Sequence, residues 1–316
     1  MSIKDTVKKI PGMSYIAEKR ESFMPRLLSG ISPLLASKYV YRKRLGKRLD
    51  IKNPKLYNER LMWLKLYYYN KNPLVTECAD KYRVRNYLER CGLGDSLNEL
   101  YGVWDNADDI PWDSLPDKFV LKCNHGCDYN IICEDKSKLD IKEAKKKLKK
   151  WLRDDFWKYA AEVNYRYIPK RIICEKYIGT EDGGMPADIK VYCFNGVPKL
   201  VGYYYDRPKY THDQKMVHYD FDWNPVPFMH PKYRKGAEAP EKPAYLERVL
   251  KEAEILSKPF PFVRVDFFEY KGQPVFAELT FTPLFCAGDL FTDEGMEYLG
   301  SLIKLPIDSD TSTESR

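Results

Sequence analysis

The sequence predicts an α+β protein. Segments of helical and strand period mix irregularly instead of alternating one for one. Two hairpin signatures stand at Asn195-Gly196 and Lys271-Gly272, each between runs that alternate in polarity. A Lys-rich amphipathic stretch, residues 138–160, supplies the helical component.

The elements follow in chain order. FMPRLLSGISPLLASKYVYRKRLGKR sets an apolar stretch beside a basic cluster, and Pro25, Gly30 and Pro33 break it, so it reads as short helices. Residues 51–70 read as helix after Pro54. A second helix runs through TECADKYRVRNYLERCG and stops at Gly92. SLPDKFVLKCNHG reads as a turn, a buried strand over Phe119–Cys123 and a glycine-containing loop. Residues 138–160 form one amphipathic helix or a pair. RIICEKYI, 171–178, is a short apolar strand ending in charge. DIKVYCFNGVPKLVGYYYD, 188–206, is a hairpin, and residues 243–257 are a helix. The tail SDTSTESR reads as disordered.

The last hairpin, VRVDFFEYKGQPVFAELTFTP over 263–283, carries Asp266 and Glu278 on arms that should be well packed. A two-residue loop would set Asp266 opposite Ala277 and turn Glu278 to the other face. A three-residue loop, Lys271 to Gln273, sets Asp266 opposite Glu278 and Arg264 opposite Thr280. The second register gathers Val263, Val265, Phe267, Ala277, Leu279 and Phe281 on one apolar face, and it is the one adopted. It opposes like charges, so a cation is expected between them. An Asp and a Glu so placed suit Mg²⁺, which takes few protein carboxylates and completes its shell with water and phosphate oxygens. Thr280 lies one pleat beyond Glu278, within reach of the metal's water or a phosphate. Arg264 neutralising a surface hairpin is the structural alternative.

The chain of 316 residues is 44% hydrophobic and 31% charged, the composition of a globular protein with a sizeable core. No run of 18 apolar residues occurs. Eight irregularly spaced cysteines without a secretory signal predict reduced thiols in a cytoplasm. Residues 1–49 hold 12 Lys and Arg against three acids, a net +9, which leaves −2 for the rest. This basic arm is the candidate for peripheral contact with the inner face of an anionic membrane. Short helices packed on the body with a solvated basic rim are the preferred reading. Beyond charge, no motif supports nucleic-acid binding.

Lys122 ends a buried strand before Asn124-His125-Gly126, and a lysine there points inward only to meet an anion. The loop NHGCDYN can offer backbone N–H groups to phosphate. Glu175 ends RIICE, where a strand end can present donors and acceptors to a flat base.

LYNERLMWLKLY, ADKYRVRNYL, FVLKCNHG, ICEKYI, DIKVYCFNGVP and VRVDFF…FAELTFTP together resemble the ATP-grasp enzymes, and among them the teichuronopeptide-biosynthesis (TupA-like) group. The resemblance covers about residues 50–305. It implies an ATP-grasp fold, two α+β subdomains clamping ATP after a basic helical region over 1–70. The first subdomain would span 71–170 with the Lys122 strand and phosphate loop, the second 171–305 with the metal-binding hairpin, and 306–316 would be the tail. It implies that Lys81 and Lys122 touch ATP phosphates, that Glu175 and Ile178 line the adenine pocket and that Asp188 meets the ribose. Lys190 and Arg207 would face phosphate or substrate. Arg264 would steady the transferred phosphoryl group, with Asp266 and Glu278 on Mg²⁺. Thr280 stands where the family usually has Asn, which puts a second metal in doubt. No strand–GxGxxG–helix opens the chain, so helices replace the usual first domain.

The activity so implied is an ATP- and Mg²⁺-dependent carboxylate–amine ligase working through an acyl phosphate. Its substrates would be a uronic acid of a bacterial surface polysaccharide, or its precursor, and an amino compound. Three rivals remain: a metal-dependent glycosyltransferase using Asp220-Phe221-Asp222, a zinc site at Cys123, His125, Cys127 and Cys133, and a non-catalytic adaptor.

Overall fold

The structure, a computed structural model, describes residues 23–180, 184–207, 214–233 and 240–306. The start of the basic arm and the tail predicted to be disordered lie outside the described residues. A helix over residues 23–31 leads into α1 (Pro33–Leu45), which Ser32 caps and Pro33 opens. Gly30 does not break the arm; the break falls at extended Ser32. Next come α2 (Tyr57–Trp63), whose continuation widens into a π-helix over Leu64–Tyr68, and α3 (Pro73–Ala79) and α4 (Val84–Arg90).

The sequence predicts one helix over 76–92; the structure has two. Asp80 is extended and its carboxylate accepts from the Tyr82 and Arg83 amides, which starts a new turn. Gly92, at φ 74°, ends the second helix as expected.

Two antiparallel sheets follow. The first runs β1–β4–β2–β3, built from β1 (Leu100–Trp104), β2 (Phe119–Cys123), β3 (Asn130–Cys133) and β4 (Ile172–Lys176). α5 (Ile141–Arg153), capped by Asp140, packs against β2. The second runs β7–β6–β5–β8–β9, from β5 (Asp188–Phe194), β6 (Val197–Tyr205), β7 (Lys215–Tyr219), β8 (Phe262–Tyr270) and β9 (Gln273–Thr280). α6 (Leu246–Ser257) lies over β5, β6 and β8, and α7 (Asp293–Ser301) packs on α2. β4 pairs with β1 and β2, so this strand belongs to the first sheet and not with the hairpins that follow residue 171.

Alternation divides the second sheet. Val191, Cys193, Val263, Val265 and Phe267 are fully buried on the α6 side. The opposite face begins with an aromatic cluster, where Tyr57 meets Phe262 at 5.5 Å and Phe194 at 6.3 Å. Along the same face the strands turn polar, through Arg264 and Asp266 on β8 and Lys190 and Asp188 on β5. One end of that face is therefore core and the other end is free to bind.

Asn195 and Gly196 both have positive φ, the two-residue hairpin turn expected from the sequence. A Cβ on Gly196 would stand 3.0 Å from Lys258 Cα, where the turn crosses the end of α6. Gly196→Ala therefore meets both a left-handed φ and backbone contact, and should cost about 1–2 kcal/mol in urea unfolding. An unchanged midpoint would contradict this account of the turn.

Candidate active site

The β8–β9 register sets the site. Asp266 faces Glu278 and Arg264 faces Thr280, as the sequence predicts, but not through the loop proposed. Tyr270 pairs with Gln273, so the turn has two residues, Lys271 and Gly272, both at positive φ. The register shifts by a bulge between Asp266 and Phe267, which leaves Ala277 as the extra residue of β9. Ala277 consequently joins the cleft lining and not the apolar face. The bulge restores the acid pair that a regular two-residue hairpin would have lost.

Cations surround the pair. Arg264 donates to Asp266 through Nε at 2.7 Å and Nη2 at 2.6 Å, a bidentate contact buried in the sheet face. Lys190, the register partner of Asp266, reaches it at 3.1 Å and Asp188 at 2.6 Å. Lys81 approaches Glu278 at 3.4 Å and donates to the Gly126 carbonyl at 3.0 Å. The Thr280 hydroxyl lies 3.1 Å from Glu278 and 3.3 Å from Asp266, and it accepts from Arg264 at 3.2 Å. With one proton it serves one carboxylate at a time. Burial works against the Glu278 carboxylate, but Lys81, Lys190 and Arg264 outweigh it and hold it down at about 2. Burial also opposes the Lys190 charge, and Asp188 and Asp266 keep the ammonium above its ordinary value.

The first sheet provides the opposite wall. Lys122 meets Glu175 at 2.6 Å across the β2–β4 pair, the anion its inward position requires. Arg85 adds a second cation at 3.6 Å from Glu175. The loop after β2 is fastened by Asn124, which donates to Asp80 at 2.7 Å and to the Pro169 carbonyl at 2.8 Å and accepts from the Arg171 amide at 2.7 Å.

Between the walls lies a cleft of about 350 Å³, within the range of ligand pockets. Lys81, Lys122, Glu175, Ile178, Asp188 and Lys190 line it, as do Arg207, Asp266 and Glu278. Arg264 and Thr280 do not line it, and act on it through Asp266. Val120, Ile132 and Met185 give it an apolar side. Sequence reasoning missed Arg85, which lies within the ADKYRVRNYL motif, on α4, but was given no role there. The alternation of β2 and β3 was the available signal for Val120 and Ile132.

The residues fit a magnesium nucleotide. Asp266 and Glu278 present hard oxygen donors to the cleft, the kind Mg²⁺ takes, with the Thr280 hydroxyl bonded behind them. Asp188 Oδ1 and Arg207 Nε, an acceptor and a donor of two cleft-lining residues, are buried without a hydrogen-bond partner among the described residues.

The rival sites are accounted for otherwise. Asp220 accepts from the Asp222 and Asn224 amides at 3.0 and 2.8 Å, forming a turn, and neither Asp220 nor Asp222 lines the cleft. Cys123 is buried in the core and its thiol is pushed up to about 12. His125 sets Nε2 3.1 Å from the Trp151 carbonyl and is lowered to about 4 by burial. Cys133 donates to the Asp117 carbonyl. Among the described residues no group of three His, Cys, Asp or Glu side chains could hold a metal ion.

Two antiparallel sheets closing on a cleft, with cations on both walls and opposed carboxylates on one, define a protein of the ATP-grasp class. The family model described as TupA-like ATPgrasp matches residues 59–304, and the chain belongs to that family. Among solved structures it is similar to D-alanine–D-alanine ligase from Bacillus anthracis, at 17% identity over 74% of this chain and 70% of that one, TM-score 0.42. It is similar to L-amino acid ligase from Bacillus licheniformis at 16% identity, over 66% and 44%, TM-score 0.42. It is also similar to D-cycloserine synthetase DcsG at 16% identity, over 74% and 72%, TM-score 0.43. The chain spans 56% of another Bacillus anthracis D-alanine–D-alanine ligase structure, one complexed with ATP. Comparison with curated proteins finds no match.

The depressed Glu278 value has a sign that can be checked. A carboxylate lowered in the folded state stabilises it above the unfolded value of 4.5, and that contribution fades as pH falls towards about 2. In chelator, the urea-midpoint difference between wild type and Glu278→Gln should shrink from about pH 6 to about pH 3. A constant difference would count against the Lys81 pairing.

Proposed function

We propose that this protein is an ATP-dependent carboxylate–amine ligase that forms an amide through an acyl phosphate, with Mg²⁺ as its metal. One observation carries the reading: Asp266 and Glu278, opposed on one wall with Arg264, Lys190 and Lys81 around them, face the Lys122–Glu175 pair of the other wall. Carboxylates do not accept amines directly, because oxide leaves badly. In the proposed reaction the carboxylate oxygen attacks the γ-phosphorus of ATP and ADP leaves. The amine then attacks the acyl carbon, phosphate leaves and the amine loses a proton.

In this reading Asp266 and Glu278 hold the metal, with the Thr280 hydroxyl beside them. When bound, Mg²⁺ neutralises charge on the phosphate oxygens. Lys81 and Lys122 receive phosphates from opposite sides. Glu175 and Ile178 border the base and Asp188 the ribose. Arg264 orients Asp266 and partly offsets the burial that works against its charge, and so acts on the phosphoryl group through that carboxylate, while Lys190 and Arg207 face the phosphates or the acceptor. The work is positioning and charge stabilisation, not covalent catalysis.

The finer reading is that the carboxylate belongs to a uronic acid of a bacterial surface polysaccharide, of capsule, teichuronic acid or O-antigen type, or to its precursor. It rests on the resemblance to the teichuronopeptide group, and with it comes a place in cell-envelope synthesis in the cytoplasm. Purified protein offered uronic acids together with amino acids or amino sugars should release ADP only when both partners are present. Glu278→Gln should lower that rate at least about 100-fold, as loss of a charge-stabilising group does. Turnover of a UDP-sugar without ATP would overturn the ligase reading in favour of glycosyl transfer.

A further inference from the structure

The described part of the N-terminal arm has a feature the ligase reading does not use. Phe23, Leu27 and Ile31 follow one another at intervals of four and form a single ridge along the helix over 23–31, and Leu35 lies beyond the break at Ser32, in the first turn of α1. All are exposed, Ile31 by 70% and Phe23 by 62%, and Met24 beside them by 41%. Large apolar side chains in a row at this exposure are unusual on a soluble surface.

The ridge is held outward. Pro25 and Ser29 face inward and are buried. Arg26 donates to Asp154 at 2.5 Å and lies over the Tyr159 ring at 4.4 Å. Asp154 is itself fixed by the hydroxyls of Tyr129 and Tyr159, at 2.6 and 2.9 Å. The helix is therefore anchored to the body by its polar contact, with its apolar side left over.

The segment that carries the ridge has charge of one sign, although Arg26 pairs with Asp154 and Lys47 with Asp293. Residues 23–49 contain seven Lys and Arg and no Asp or Glu. Lys38, Arg42, Lys43, Arg44, Lys47 and Arg48 are exposed along and beyond α1. Arg153, exposed in the last turn of α5, adjoins the Asp154 anchor.

We propose that this ridge is a peripheral membrane-docking surface that inserts its apolar residues at the headgroup level of a bilayer carrying anionic lipid. Exposed apolar side chains flanked by cations are what an anionic lipid interface takes. A second copy of the chain is disfavoured as the occupant, because it would bring the exposed Lys38, Arg42 and Lys43, for which no ion pair is seen among the described residues, against their twins. Among the described residues no helix is long and apolar enough to cross a membrane, so the contact is with the surface. The inference stands independently of the reaction assigned to the cleft.

Flotation of the full chain with vesicles tests it. Binding should be at least about tenfold tighter to phosphatidylcholine vesicles containing phosphatidylglycerol than to pure phosphatidylcholine, and should weaken with salt. The double variant Leu27→Ser with Ile31→Ser should weaken it at least about tenfold. The same loss is expected for Arg42→Glu with Arg44→Glu, while magnesium-nucleotide binding stays unchanged in both as the folding control. Absence of binding to the anionic vesicles at low salt would overturn the proposal. So would binding that ignores the Leu27 and Ile31 substitutions, or a dimer in sedimentation that those substitutions dissociate.

Discussion

The buried contact between Arg264 and Asp266 is the constraint on which the rest depends. Both belong to β8, two residues apart, so the strand's own pleat puts them on one face. A carboxylate this deep needs a bonded cation, and removing one partner of such a pair costs about 3–5 kcal/mol. Arg264 supplies two hydrogen bonds and Lys190, its neighbour's register partner on β5, supplies a third. The site is thus charge-balanced before any ligand arrives. Its net character is set by how far Glu278, Thr280 and Lys81 complete it from β9 and the first sheet's side.

The location of the site follows from a division within one sheet face. Where Tyr57, Phe194 and Phe262 meet, the face is closed by α2 and forms core. Two residues further along β8 the same face carries Arg264 and then Asp266. The first sheet stands over this charged end and not over the aromatic one. Lys122 and Glu175 are neutralised there by each other, with Arg85 behind them. Both walls therefore hold lysines whose present partners are carboxylates, an arrangement that phosphate groups can enter by exchange of partners.

Much of this was legible in the chain itself. Period-two alternation and two turn dipeptides located both hairpins of the second sheet, and the opposition of Asp266 and Glu278 followed from sorting apolar from polar residues. The route to that opposition was not legible. A bulge at Ala277 is one extra residue among alternating ones, and it mimics a longer loop. The break at Asp80 was hidden because helical period continues across it, while the competing Asp80–amide bonds are local. β1, β3 and β7 are short, and no turn dipeptide marks them. β4 was placed with the wrong sheet because strand pairing over long separations leaves no local trace. The helices of the arm do pack on the body as read, but the exposed apolar side over 23–31 was not foreseen, since sequence period identifies an apolar side and not whether anything covers it.

The central claim is that the opposed pair grips a divalent cation in company with a nucleotide. Electron paramagnetic resonance of Mn²⁺ with a non-hydrolysable ATP analogue tests this directly. Wild-type protein should bind the metal tightly only when the analogue is present, and Glu278→Gln should lose that ternary signal while the chain stays folded. An undiminished Mn²⁺ signal in the variant, or none in the wild type at saturating analogue, would contradict the account.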